Sequence, residues 1–134
     1  MPITATGVTT LLMVYDMRRS LAFYRDALGC EVLQSHEPDG HLYWAMLRLG
    51  GARLMLNAEF EDHKRPPAPP PRRPGDRGVI LYFDCEDVQK AYEHLRSRGC
   101  GVKEPKTTYY GMTQLHLTDP DGFELCFQHA ASGA

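Results

Sequence analysis

Gly29-Cys30-Glu31-Val32 and Gly99-Cys100-Gly101-Val102 are the stretches on which the reading of the fold turns. Each follows an amphipathic segment that contains a tyrosine, and each of those segments follows a capping acid. Before the first stretch, Leu21, Tyr24 and Leu28 recur at spacings of three and four. They predict a helix over Ser20–Leu28, with Asp16 as N-cap and Gly29 as the closing glycine. Before the second, Val88, Ala91, Tyr92 and Leu95 predict a helix from a cap at Glu86 or Asp87 to Arg98, closed by Gly99. The flanking runs read as strands. Around the first helix they are Val8–Val14, Glu31–Ser35, His41–Arg48 and Ala52–Asn57. Around the second they are Val79–Asp84, Val102–Thr107, Met112–Thr118 and Phe123–Gln128. Pro105 marks one of these as an edge strand. Pro38-Asp39-Gly40, Gly50-Gly51 and Asp119-Pro120-Asp121-Gly122 are turns.

Both halves therefore read strand, helix, strand, strand, strand. One helix covers one face of a four-stranded sheet and leaves the other bare. Two such units bury the bare faces or curl them round a cavity. The expected fold is α+β: two βαβββ modules forming a curved, cup-like mixed sheet with helices outside. One domain is expected over residues 1–134, with module one at 1–58, a proline-rich linker at 59–77 and module two at 78–134. Six of the ten prolines fall between Pro66 and Pro74. The run from Pro66 to Pro71 favours an extended polyproline path. Two readings of it stand open, a plain spacer and a proline-rich ligand for an SH3-like partner.

The chain has 134 residues, 15 basic and 17 acidic side chains, and a net charge of −2. With 43% hydrophobic and 24% charged residues its composition is that of an ordinary globular protein. That charge balance argues against a binder of nucleic-acid phosphates. No apolar run reaches the ~20 residues of a membrane helix, and Met1–Thr6 has no signal-peptide pattern. Cys30, Cys85, Cys100 and Cys126 make no C-x-x-C pair. They read as small buried hydrophobes in a reducing cytoplasm.

The order of Val14-Tyr15-Asp16, Ser20-Leu21-Ala22-Phe23-Tyr24 and Leu28-Gly29, then Asp87-Val88, Ala91-Tyr92, Leu95 and Gly99, then Tyr110-Gly111-Met112 and Asp119-Pro120-Asp121-Gly122, resembles the vicinal oxygen chelate superfamily. That superfamily includes glyoxalase I, extradiol dioxygenases and the fosfomycin- and bleomycin-resistance proteins. The resemblance implies that metal-dependent members take His or Glu ligands from the first and fourth strands of each module. Those positions fall here on Thr9, Met55, Ile80 and Cys126. None is His, Asp or Glu, and such a set does not make a site for a hard or borderline divalent ion. No metal and no cofactor is therefore expected, and the pattern looks like the metal-free, bleomycin-resistance-like branch.

Strand alternation lists the inward-facing candidates. The ligand-binding set is Thr9, Arg53, Met55, Asn57, Tyr82, Gln114, His116, Glu124 and Cys126. Leu11, Met13, Ile80 and Met112 would complete the walls. His116 and Glu124 are the catalytic candidates, because a His–carboxylate pair can move a proton near neutral pH. A structural hydrogen bond is the alternative reading of the same pair. Tyr43, Trp44, Tyr109 and Tyr110 suit either a planar ligand or a core or dimer contact, while His36, His41 and His63 read as solvated loop residues. The expected function is metal-free binding of a small organic molecule, a drug or a metabolite, by a homodimer. The near-balanced charge disfavours a dedicated binder of a strongly cationic drug. The alternative is a lyase, isomerase or dioxygenase-type enzyme with a displaced metal site or a His116 base. Whether the chain is an enzyme stays open at this point.

Overall fold

The computed structural model describes residues 2–73 and 75–131. Pro74, the last of the proline cluster, and the outermost ends of the two modules, at 1 and 132–134, lie outside the described residues. The elements are β1 (Thr10–Val14), α1 (Met17–Leu21, continuing as a π-helical stretch Ala22–Ala27), β2 (Glu31–His36), β3 (Trp44–Leu49) and β4 (Ala52–Ala58). After them come β5 (Ile80–Asp84), α2 (Val88–Ser97), β6 (Lys106–Thr107), β7 (Met112–Thr118) and β8 (Glu124–Ala130). They form two four-stranded mixed sheets, ordered β1-β4-β3-β2 and β5-β8-β7-β6. In each sheet the first strand pairs in parallel with the last, and the remaining pairs are antiparallel. The fold is thus α+β, two βαβββ modules with curved, open sheets.

Local chemistry sets the helix ends. The Asp16 carboxylate accepts from the backbone N–H of Arg18 at 3.1 Å and of Arg19 at 3.3 Å, and Asp87 caps α2 through Lys90 N–H at 3.2 Å. Gly29 and Gly99 leave their helices with φ of 92° and 80°, a conformation open to glycine and costly for other residues. The first helix starts earlier than its apolar spacing predicts, because the cap fixes its start at Met17. In its π-helical part Leu28 N–H reaches back to Phe23 O at 2.9 Å. Expected β6 shrinks to two residues. Pro105 lacks an N–H for the ladder, and pairing begins only after it, at Lys106. His41 is not a solvated loop residue: its Nδ1 lies 3.1 Å from Asp62 Oδ2 and its ring meets Tyr43 edge-on.

One apolar core lies on the helix side of both sheets. Leu12, Val14, Leu54 and Leu56 contribute from module one, Leu115, Leu125 and Phe127 from module two, with Tyr24, Val88 and Leu95 from the helices. The polar counterpart of that shared core is the Asp119-Pro120-Asp121-Gly122 turn. The buried Asp121 accepts from Tyr15 N–H (2.9 Å), Arg19 Nη2 (3.1 Å) and Ser20 Oγ (3.2 Å). The buried Asp119 accepts from the Tyr24 hydroxyl at 2.6 Å, besides two backbone N–H groups of its own turn. The turn of module two therefore satisfies the start of the module-one helix.

The segment between the modules is tied down. The Tyr15 hydroxyl donates to Pro66 O, and Arg65 Nε donates to Tyr15 O at 2.9 Å. Further on, Arg77 Nε donates to Asp121 O at 3.0 Å while its guanidinium lies over the Phe123 ring. The stem of Arg72 lies against Gly122.

Candidate functional site

Alternating burial identifies the faces that carry no helix. On β1, Leu12 and Val14 are 2% and 0% exposed, whereas Leu11 and Met13 are both 42% exposed. Register extends this outer set across sheet one. Leu11 lies opposite Met55 and Met13 opposite Asn57, while Met55 and Asn57 lie opposite Met46 and Trp44. Asn57 Nδ2 approaches Met13 Sδ at 3.8 Å, which places both on the same side. The face is a thioether and indole surface that also carries the Asn57 and Gln34 amides and, at one end, Arg48 and Arg53, and it suits a flat, polarizable ligand.

The equivalent face of sheet two is polar. His116 Nδ1 lies 3.1 Å from Glu124 Oε1, and His116 Nε2 lies 3.2 Å from Gln114 Oε1. Gln114 Nε2 donates to Gln128 Oε1 at 3.1 Å, and Gln128 Nε2 donates to Asp84 Oδ1 at 3.1 Å. The Tyr110 hydroxyl also reaches Gln114 Oε1, at 3.4 Å. Five side chains from β5, β7 and β8 thus form one hydrogen-bonded row, with a carboxylate at each end. Both ring nitrogens of His116 face acceptor oxygens, so a neutral ring donates to one of them only. A general base needs a nitrogen lone pair facing its substrate, and here both nitrogens are turned toward Glu124 and Gln114 instead.

The sequence candidates separate into three groups. Gln114, His116, Glu124 and Cys126 come together, with Cys126 Sγ 3.8 Å from His116 Nε2. Met55 and Asn57 belong to the apolar face of sheet one. Arg53 and Tyr82 line a cleft of about 780 Å³ that runs from Val8 and Thr10 to Ile80 and Phe127, and Tyr82, which pairs with Cys126 across β5 and β8, also adjoins the first group. Thr9 stands just before β1, exposed. His116 and Glu124 also border a groove of about 540 Å³ with Phe23, Val102 and Lys103. Met46, Gln128 and Asp84 belong to these faces and stand outside the candidate set read from sequence. The alternation that gave Met55 and Cys126 extends to them once β3, β5 and β8 are read to their ends.

The positions where the resemblance puts metal ligands do not fit a divalent ion. Met55 lies opposite Leu11 and Met46, and Ile80 lies opposite Glu124. Cys126 is fully buried, and burial first, then the Glu124 charge, pushes its thiol up to about 11. A nucleophile must be a thiolate, so this buried thiol is a poor one. Among the described residues no group of three or more His, Cys, Asp or Glu is placed to hold a metal ion. None of the described helices is long and apolar enough to cross a membrane.

Comparison with known proteins adds to this geometry. SMU.1112c is 27% identical, with 94% of this chain and 100% of that one covered and a TM-score of 0.75. A glyoxalase/bleomycin resistance protein from Streptomyces sp. CB03234 is 28% identical over 91% of this chain and 100% of that one, with a TM-score of 0.64. A bleomycin-binding protein complexed with bleomycin is 21% identical over 93% of this chain and 98% of that one, at TM-score 0.69, a likeness of fold alone. No curated protein sequence matches the chain. The model of the Glyoxalase/Bleomycin resistance protein/Dioxygenase superfamily matches residues 7–127. With nearly its whole length matched by that model, the chain belongs to the glyoxalase/bleomycin resistance protein/dioxygenase superfamily.

Proposed function

We propose that this protein binds a small, partly aromatic organic molecule on the helix-free faces of its sheets and holds it without a metal ion and without transforming it. Sequestration of a drug or a metabolite is the role this implies. The observation that carries the reading is the chemistry of two unlike helix-free faces. One is Leu11, Met13, Trp44, Met46 and Met55, and the other is the row from Glu124 through His116 and Gln114 to Asp84. Apolar walls with a few fixed polar groups are the usual makeup of a small-molecule site. Thr9, Arg53, Met55, Asn57, Tyr82, Gln114, His116 and Glu124 are its proposed ligand-facing residues, with the fully buried Cys126 beneath them. The donor set at the four family positions supports metal-free binding, and the turning of both His116 nitrogens toward Glu124 and Gln114 supports holding over turnover.

A homodimer belongs to the same proposal. Leu11, Met13, Ile80 and Tyr82 are between 39% and 52% exposed in the single chain, and a second copy laid over these faces would enclose the ligand. The four cysteines are free, which supports a reducing cytoplasm. We read residues 1–134 as one such unit, its modules at 1–58 and 78–134.

The test is a thermal-shift screen of planar aromatic compounds on purified protein, with elemental analysis of the same sample. A true ligand raises the melting temperature in step with RT ln(1 + [L]/Kd). The shift is expected to fall in both His116→Ala and Trp44→Ala. Unchanged shifts in both variants would remove the proposed site. A stoichiometric transition metal, or turnover of the best hit seen by mass spectrometry, would replace the binding reading with the enzyme one.

A further inference from the structure

The arm between the modules has a chemistry that neither inner face uses. In Arg65-Pro66-Pro67-Ala68-Pro69-Pro70-Pro71, five residues (Arg65, Pro66, Ala68, Pro69 and Pro70) each precede a proline. Proline fixes its own φ near −65° and holds the preceding residue extended. The run is thereby confined to a polyproline-II path. Arg65 enters it with φ −71° and ψ 123°. Every residue from Pro66 to Arg73 is exposed. The rod stands over a cavity of about 820 Å³ above Tyr15, Phe60 and the Asp119–Gly122 turn, so it is not packed into the core.

Both ends are anchored. Tyr15 and Arg65 hold the entry, and Arg73 N–H to Asp76 Oδ2 (2.9 Å) and Arg77 to Asp121 O hold the exit. A rod fixed in this way has little conformational entropy left to lose on binding. With three residues per turn, Pro67 and Pro70 share one edge, Pro66, Pro69 and Arg72 the next, and Ala68 and Pro71 the third. Grooves that read such helices take two edges between aromatic rings and seat a flanking cation on an acidic rim. Pro67-x-x-Pro70-x-Arg72 supplies both. Lys64, at the other flank, is paired with Glu61 at 3.3 Å. Arg72 has no hydrogen-bond or ion-pair partner for its guanidinium among the described residues. We propose that Pro66–Arg72 is a preformed docking ligand for a partner protein bearing an aromatic-lined, acid-edged polyproline groove of the SH3 type, with Pro67, Pro70 and Arg72 as the contacting residues.

The probe is a purified SH3 domain that accepts P-x-x-P-x-Arg ligands, isotopically labelled and titrated with the full chain. Saturable shifts confined to its aromatic groove are expected. Pro67→Ala with Pro70→Ala, and separately Arg72→Glu, should each weaken binding by about tenfold or more. Pro71→Ala, on the third edge, should stay within about threefold of the unaltered chain. A synthetic peptide of residues 64–73 should displace the full chain, a readout that needs no folded variant. The proposal fails if no saturable binding occurs at about 1 mM domain, if binding survives the double alanine variant, or if the peptide does not compete.

Discussion

Replacing Tyr24 with Phe isolates one hydrogen bond that joins the modules. The Tyr24 ring is fully buried, and Phe fills the same volume, so no cavity term enters. What is lost is the hydroxyl's 2.6 Å bond to Asp119 Oδ2. Bonds to a charged group contribute about 1.5–3 kcal/mol, and Asp119 keeps two backbone donors, so about 2 kcal/mol is expected. For a chain of this size that lowers the melting temperature by roughly 6–10 °C. The pH dependence makes the test sharper. Burial, the largest influence, holds the Asp119 carboxyl above its ordinary range in the folded protein, while the Tyr24 hydrogen bond pulls it down. The folded state then binds this proton more tightly than the unfolded state does. Asp119 therefore makes stability fall as pH rises from its unfolded value of about 3.9 through its raised folded value. Removing the hydroxyl raises the folded value further and widens that window. The deficit of Tyr24→Phe should be near 2 kcal/mol where Asp119 is ionised and should shrink as falling pH protonates it and the bond is to a neutral acid. Urea unfolding of both proteins across an acid-to-neutral pH series measures it, and carboxylates common to both cancel in the difference. A deficit that does not change with pH, or one under about 0.5 kcal/mol at its largest, would refute the assignment of Asp119 as a charged acceptor.

Two further predictions concern neighbouring chemistry. Gly122 has φ 87°, and a Cβ there would stand 2.9 Å from Arg72 Cβ, so Gly122→Ala should cost about 2 kcal/mol or more in urea unfolding. Adding Arg72→Gly should recover the clash but not the φ strain, and full recovery would show that the backbone conformation is not strained. Cys126 should resist iodoacetamide at pH 7 in the native protein and react once unfolded in urea, since it is buried and its thiol is pushed up to about 11. Rapid native labelling at pH 7, located by peptide mapping, would contradict that burial.

The fold was legible because its signals are periodic. The spacing of Val88, Ala91, Tyr92 and Leu95 is a property of one short segment, and α2 follows it to within a residue at its start. The alternation of Leu11 with Leu12 separates a helix-free face from a core face before any contact is known, and the exposures of 42% and 2% repeat it. Element ends were harder to read. Where a strand stops depends on whether a neighbour offers a partner, as β6 shows beside Pro105 and β8 shows in running on to Ala130. The candidate site was legible residue by residue but not as a set. Alternation gives the side of a sheet, not which residues meet, and Arg53 proves to line a different cleft from that bordered by His116 and Glu124.

The Asp119–Gly122 turn shows why the remaining connections escape a reading by pattern. From sequence it is a turn signal, and its local job, Asp119 accepting from Asp121 and Phe123 N–H, is all that turn chemistry requires. Its second job depends on Tyr15, Arg19, Ser20 and Tyr24, which lie in the other module and share no period with it. Gly122 then admits the Arg72 stem, and Arg77 closes on the Asp121 carbonyl. One turn thus fixes the module-one helix and the exit of the proline rod together. A change at Asp121 should consequently disturb both module packing and presentation of the rod, whereas a change at His116 should disturb neither. This separates the two proposals physically: the inner faces can lose their ligand while the rod still docks, and the rod can be altered while the inner faces still bind.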